Sequence, residues 1–211
     1  MKKAPPLLGC VTVALIFLGA CASHPVVKKA ERPRKSQSWG YFSGPVDARW
    51  DPDGLNMTLL SEVRYTDPEG VVWVAPAGSK VNGASIPRAF WSLVGGPFEG
   101  KYRAASVLHD VAYEQQTRPW QQVDRMFYNA IRCSGVGVVE AKTMYYALYR
   151  HGHHWKHPVR RAVAAQPSDL APPAERATSV DPGEIDAIQS WIQNNNPSLD
   201  QIEERAGVPG Q

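Results

Sequence analysis

The sequence predicts an α+β fold, with an N-terminal antiparallel β-meander packed on about three helices and a C-terminal amphipathic helical tail. Two observations lead to this prediction. Short segments rich in strand-forming residues, separated by turn residues, fill the chain from Trp39 to about Pro87. From about Ala89 onward the apolar residues recur at helical spacing, and the segments end at glycine or proline.

The β part of the prediction rests on two stretches and two turns. Leu55–Tyr65 is rich in strand formers, and the following residues, 67–70, have turn chemistry. Because Val71–Val74 comes directly after this turn, the two stretches are predicted to form a hairpin. A second tight turn is predicted at Asn82-Gly83.

Three helices are predicted next. The first covers Lys101 to about Gln116, and the second runs from Pro119, a residue suited to a first helical turn, to about Cys133. The third covers roughly Val138–Arg150, with Gly152 as its stop signal.

The tail contains two further helical signals. Four apolar residues between positions 185 and 192 share one helical face, and Ser198 with Gln201 predicts a capping box. From the sequence, this tail can dock either on its own domain or on a partner.

The N-terminus has the pattern of a bacterial lipoprotein signal peptide. Lys2 and Lys3 precede an apolar run over residues 7–18, which is shorter than a membrane span. The run ends in Leu18-Gly19-Ala20-Cys21, which matches the lipobox and predicts cleavage before Cys21 and lipid on its thiol. An ordinary signal peptide and an uncleaved helix are the alternatives. Because Ala22 is not the aspartate that favours inner-membrane retention, we expect the periplasmic face of the outer membrane.

Composition and charge restrict the kinds of partner and of cross-link that this protein can have. Loss of residues 1–20 lowers Lys+Arg from 23 to 21 against 20 acidic residues, so the mature charge of +1 argues against a nucleic-acid partner. With lipid on Cys21, Cys133 is left alone and no disulfide scaffold is expected. The expected organisation is a signal peptide over 1–20, a tether over 21–38, a globular domain over 39–160, a linker over 161–183 and a helical tail over 184–206.

One group of residues could perform chemistry. His109 and Tyr113 lie four apart on the first predicted helix, hence about 40° apart around its axis, with Asp110 on the neighbouring face. If the next helix packs antiparallel, Asp124 comes close to His109, and a histidine oriented by a buried carboxylate is a general-base pair. Asp110 would then be available to a hard cation such as calcium. The alternative is that these residues form a hydrogen-bond network inside the core.

Other candidate sites are weaker. Ser85 and Ser106 lack the context of a nucleophile elbow, and Cys133 is expected to be buried packing. A histidine cluster has irregular spacing, which allows weak zinc or nickel binding or a solvated helix end. Its members are His151, His153, His154 and His157.

A longer set of residues resembles a known family over roughly residues 40–157. The set comprises the segment Val81–Trp91, Ala104, Ala105, His109, Asp110, Tyr113, Asp124, Phe127, Gly152 and Trp155. In order and spacing it resembles the bacterial and phage family called domain of unknown function 1353. That family usually has aspartate where this chain has Asn82, so any metal-binding role of that acid would be absent here. The family name implies no activity.

The pattern His-Asp-x-x-Tyr, with an aspartate on the next helix, also resembles the core of secreted phospholipase A2 enzymes. The resemblance implies that His109 activates water, that Asp124 orients it, that Asp110 binds calcium and that Tyr113 supports the pair. Carbonyl groups of Gly95-Gly96 or of Glu99-Gly100 would complete the calcium site. The cysteines that flank the pair in that family are absent here.

These observations predict a membrane-anchored envelope lipoprotein. Its leading activity is calcium-dependent hydrolysis of an ester, with phospholipid as substrate. The alternative is a non-catalytic envelope module that binds a partner or serves a structural role.

Overall fold

The computed structural model describes residues 38–83, 98–156 and 181–207. These residues form antiparallel sheets in the N-terminal part and helices in the C-terminal part, which confirms the predicted α+β class. The leader and the acylated cysteine predicted at its end lie outside the described residues, as does most of the predicted linker. Within the described ranges, none of the helices is long and apolar enough to cross a membrane.

The strands divide between two small sheets. One sheet has the order β1-β4-β5 and the other has the order β2-β3-β6, with antiparallel pairing throughout. The strand bounds are β1 Tyr41–Phe42, β2 Ala48–Trp50, β3 Met57–Leu59, β4 Val63–Thr66, β5 Val72–Ala75 and β6 Lys80–Val81. The predicted stretch 55–65 is therefore not continuous, because residues 60–62 separate β3 from β4 and carry the chain from one sheet to the other.

The predicted hairpin is formed by β4 and β5. Tyr65 pairs with Trp73 across it, and the turn is closed by the amide of Gly70, which donates to the Asp67 carbonyl over 3.0 Å. The Asp67 carboxylate holds the turn from the side, since it accepts from the Val71 amide at 2.7 Å and from the Trp73 indole at 3.0 Å. Gly70 has a φ of +83°, a left-handed conformation that favours glycine.

Five helices follow in the described part of the chain. Their bounds are α1 Arg103–Gln115, α2 Trp120–Cys133, α3 Val138–His151, α4 Pro182–Asn195 and α5 Leu199–Ala206. A 3-10 turn over Gly100–Tyr102 leads into α1. Pro119 occupies the cap position just before α2, and Gly152 ends α3 as predicted. The predicted capping box of Ser198 and Gln201 is present at the start of α5.

Helix α1 is central because it contacts β4, β5 and β6 as well as α2. Alternate residues of β4, Val63 and Tyr65, are buried, as expected for a strand with one covered face. Helices α2 and α3 pack against each other, and α4 and α5 both pack on α3. The tail therefore docks on its own domain, with Ile188, Ile192 and Ile202 buried.

Candidate functional site

The short connection between α1 and α2 brings the predicted catalytic residues together. Gln116 ends α1 in a left-handed conformation with φ +49°, and its amide donates to the Ala112 carbonyl at 2.9 Å. Pro119 then caps α2, so the chain returns at once and the two helices pack side by side. As a result, His109 of α1 faces Asp124 of α2.

The centre of the site is one carboxylate oxygen. His109 Nε2 lies 2.9 Å from Asp124 Oδ1, and the Tyr113 hydroxyl donates to the same oxygen at 2.6 Å. The side chains of His109 and Asp124 are both 0% exposed. The structure thus brings together three of the four predicted residues in a fully buried network.

The contact with Asp124 indicates which ring nitrogen carries a hydrogen. An ionised carboxylate only accepts, so this contact places a hydrogen of the His109 ring on Nε2. Burial first, and then the charge of Asp124, raise the pKa of Tyr113 well above its usual value. Tyr113 therefore stays protonated and remains a donor.

Aromatic rings enclose the pair. The His109 ring centroid lies 4.0 Å from that of Tyr113 and 5.0 Å from that of Phe127. Trp155 packs edge-on against Tyr113 at 5.1 Å, and its indole donates to the Arg118 carbonyl at 2.9 Å. The chain beyond α3 therefore returns to cover the network.

Gly152 makes this return possible. A Cβ atom at this position would lie 2.4 Å from the Leu148 carbonyl oxygen and 2.8 Å from the Tyr113 hydroxyl. Sequence reasoning identified Gly152 as a helix stop, but its close approach to Tyr113 depends on the packing of three helices and has no local signal.

Asp110 points to a different element from the other three residues. Its Oδ2 atom accepts from the backbone amide of Gly83 at 2.5 Å and from that of Asn82 at 3.2 Å. Gly83 has a φ of +72°, which marks the predicted tight turn. The carboxylate of Asp110 thereby fastens the end of β6 to α1.

The surroundings of Asp110 concern the calcium prediction. Calcium takes six to eight oxygen ligands, and the amides at Asp110 Oδ2 present hydrogens there instead of oxygens. Among the described residues, no three His, Cys, Asp or Glu side chains come together as a metal site. Gly95 and Gly96 lie outside the described residues. Calcium at Asp110 therefore remains a prediction.

The histidine cluster separates into different environments. His151 lies 3.3 Å from Glu184 of α4, His153 is exposed, and the ring of His154 stacks on Trp120 at 3.7 Å. His157 lies outside the described residues. Cys133 is half-buried and donates to the Gly40 carbonyl at 3.3 Å, and burial raises the pKa of its thiol.

The hydroxyl of Ser106 is buried without a hydrogen-bond partner within the described structure, and Ser85 lies outside the described residues.

A small cavity lies next to the site. Its volume is about 200 Å³, and it is lined by β5 together with residues of α1 and α2 that neighbour the pair, Leu108 and Val123 among them. The guanidinium of Arg118 also lines it and lies 4.4 Å from the centroid of the Trp73 ring. Sequence reasoning missed this Arg118–Trp73 pair, since the two residues are far apart in the chain.

The fold and site together define an α+β protein with a buried His-Asp pair on two packed helices. Residues 57–148 match the family described as protein of unknown function (DUF1353), which supports the predicted resemblance over this region. The match includes His109, Asp110, Tyr113 and Asp124, whereas Gly152 and Trp155 lie beyond it.

Two proteins of Sinorhizobium fredii are similar to this chain. Uncharacterized protein y4jT is 42% identical over 116 residues, which cover 54% of this chain and 34% of that protein. The chain thus spans about a third of the length of y4jT. Uncharacterized protein y4iH is 29% identical over 207 residues, which cover 93% of this chain and 84% of that protein. No solved structure matches.

Proposed function

We propose that this protein is a lipid-anchored envelope protein whose domain hydrolyses an ester bond, with phospholipid as the substrate class. One observation carries the catalytic part of the proposal. Inside two packed helices, a single oxygen of Asp124 receives hydrogen bonds from both His109 and Tyr113. A histidine held by a buried carboxylate in this way is the arrangement of a general base, because the carboxylate orients the ring and stabilises the imidazolium.

The proposed reaction uses His109 as the general base. His109 Nδ1 takes a proton from a water molecule while the water oxygen attacks the carbonyl carbon of the ester. Asp124 stabilises the imidazolium that forms, and Tyr113 keeps the carboxylate oriented. The imidazolium then returns the proton to the leaving alkoxide, so the products are a carboxylic acid and an alcohol.

The membrane part of the proposal rests on the leader sequence. A lipobox that ends in Cys21 directs acylation of that cysteine, and Ala22 favours sorting to the outer membrane on its periplasmic face. An anchored domain would meet phospholipid ester bonds at high local concentration. Incorporation of a clickable palmitate analogue tests the anchor: wild type and Cys133→Ala should be labelled, whereas Cys21→Ala should not.

The catalytic part is tested on the full chain. The protein is extracted in mild detergent and reconstituted into phosphatidylethanolamine–phosphatidylglycerol vesicles, and released fatty acid is measured with calcium or with a chelator. His109→Gln should reduce the rate by at least about 100-fold, since a general base contributes that much or more. His153→Gln, at an exposed histidine outside the buried network, is the matched control and should retain the wild-type rate.

A second candidate is a non-catalytic envelope module, and complete burial favours it. His109 and Asp124 are 0% exposed, and Asp110 is engaged by the backbone of Asn82 and Gly83. For such a module, His109→Gln would lower the melting temperature and wild type would release no fatty acid under either condition. That pair of results would contradict the hydrolase.

A further inference from the structure

The cavity next to the buried pair has one charged side chain, Arg118, among the described residues that line it. Its volume of about 200 Å³ is below the roughly 300–1,000 Å³ of sites that hold a whole drug-sized ligand, so it fits one chemical group of a larger molecule. Gln115 and Thr117 are uncharged polar neighbours of Arg118. The other lining residues are apolar or aromatic: Val72, Trp73, Val74, Leu108, Ala112 and Val123. Because Val72 is 40% exposed, a ligand can enter this cavity from the surface.

The guanidinium of Arg118 has no anionic partner in the part of the chain that the structure describes. None of the ion pairs there includes it, and it donates no hydrogen bond to a described acceptor. Asp67, the acid bound to the edge of the Trp73 ring, has its two oxygens engaged by the Val71 amide and the Trp73 indole. The five N–H donors of the guanidinium are therefore available to an anion that comes from outside the domain.

Two contacts hold Arg118 in place at the cavity. Its guanidinium lies 4.4 Å from the centroid of the Trp73 ring, in a cation–π contact, and the bond from the indole to Asp67 at 3.0 Å fixes the orientation of that ring. The backbone carbonyl of Arg118 accepts from the Trp155 indole at 2.9 Å. Since both the side chain and the backbone are held, little conformational entropy is lost when an anion binds.

The start of α2 adds positive potential beside Arg118. The helix begins at Trp120, two residues after Arg118, and its first turn has no acidic side chain. Val123 of that turn lines the cavity. The unpaired N–H groups at the start of a helix carry partial positive charge and favour an anion, so this end of α2 reinforces the guanidinium.

We propose that this cavity binds the phosphodiester group of a phospholipid, with Arg118 as the residue that recognises it. The planar guanidinium matches two phosphate oxygens, and the apolar wall fits the carbon atoms on either side of the phosphate. Arg118 thereby distinguishes phospholipids from neutral glycerides. The link to ester hydrolysis rests on the proposed function, whereas the phosphate site itself does not.

Phosphate binding is tested on the full chain in non-ionic detergent. Phosphorus-31 NMR follows the titration of glycerophosphoglycerol, the deacylated head group of phosphatidylglycerol, and inorganic phosphate is the second probe. Wild type should bind the diester, and Arg118→Gln should bind it at least about tenfold more weakly, because charge-assisted hydrogen bonds are lost. Arg49→Gln, at an exposed arginine of the other sheet, is the matched control and should bind as wild type.

A second variant tests the cavity separately from its charge. Ala112→Leu adds bulk to the lining while leaving the guanidinium in place, so it should also weaken binding of the diester. Melting curves establish that each variant is folded. The proposal is overturned if wild type does not bind the diester, if inorganic phosphate binds more tightly than the diester, or if either folded variant keeps the wild-type affinity.

Kinetics on vesicles link the phosphate site to substrate choice. Arg118→Gln should raise KM for phospholipid about tenfold, and the ratio of phospholipid to dioleoylglycerol hydrolysis should fall by a similar factor. Arg49→Gln should leave both values at the wild-type level.

The failures of the two proposals can be told apart. If wild type binds the phosphodiester but releases no fatty acid, the proposed hydrolase fails and the phosphate site stands. If wild type hydrolyses phospholipid and folded Arg118→Gln has the wild-type KM and the wild-type ratio, the phosphate site fails while the hydrolase stands.

Discussion

At the scale of single residues, the hydroxyl of Tyr113 and the ring of His109 share one acceptor on Asp124 inside the core. A charged acceptor in a buried site depends strongly on each donor, because no solvent can replace a lost hydrogen bond. The side chain of Tyr113 also packs against both His109 and Trp155. A substitution that removes the hydroxyl while keeping the ring therefore isolates the hydrogen bond.

We expect Tyr113→Phe to lower the free energy of unfolding by about 2 kcal/mol, because the buried carboxylate loses one of its donors. Urea unfolding measures the change. Tyr41→Phe is the matched control, since Tyr41 is 37% exposed and should be neutral. Equal stability of the two variants would show that the Tyr113 hydrogen bond contributes nothing to the fold.

Gly152→Ala should be destabilising by about 1–3 kcal/mol, because the added methyl group would meet the Leu148 carbonyl oxygen at 2.4 Å and force the chain away. Gly137→Ala adds the same atom where nothing lies within 4 Å, so its melting temperature should stay close to wild type. The two melting temperatures are compared. A Gly152→Ala variant as stable as Gly137→Ala would contradict the close packing of Gly152 against the Leu148 carbonyl oxygen.

At the scale of helices and strands, polar side chains hold the tail on the domain. Glu203 of α5 accepts from the Tyr145 hydroxyl at 2.6 Å and from Arg125 at 2.5 Å. Glu184 of α4 accepts from the Tyr146 hydroxyl at 2.8 Å and pairs with Arg150 at the same distance. These contacts join α4 and α5 to helices that lie within or next to the region matched to the family.

Glu203→Ala should loosen α5, because the buried Tyr145 hydroxyl loses its acceptor and Arg125 loses the closer of its two carboxylate partners. Backbone amides over residues 199–206 should exchange with deuterium faster in this variant. Glu204→Ala changes an exposed neighbour and should leave exchange unchanged. Identical exchange in both variants would mean that the contacts of Glu203 do not help to hold α5.

The elements also show what sequence patterns can and cannot predict. The hairpin at residues 67–70, the stop at Gly152 and the capping box at Ser198 were predictable because each depends on a few adjacent residues. The meeting of His109 and Asp124 was predictable because a short connection forces neighbouring helices together. Neither the division of the strands into two sheets nor the engagement of Asp110 by the 82–83 turn has a local signal.

At the scale of the whole molecule, stability should depend on pH through His154. Burial lowers its pKa below the ordinary 6.5, with Asp124 acting against this shift and His153 acting with it. Below pH 6.5 the unfolded chain thus binds more protons than the folded chain, and stability should fall as the pH decreases toward the folded pKa. His154→Phe should weaken this dependence in urea unfolding, whereas His153→Phe should retain it. Parallel pH profiles for wild type and His154→Phe would refute the expectation.

The contacts of Glu203 have a consequence for biogenesis. Its partners Tyr145 and Arg125 precede it by 58 and 78 residues, so both must wait for almost the entire chain to emerge before their acceptor arrives. A polypeptide that is cut short before position 203 would expose a Tyr145 hydroxyl without its acceptor and an Arg125 without its closest carboxylate. Arrival of α5 thus distinguishes a finished molecule from a nascent one.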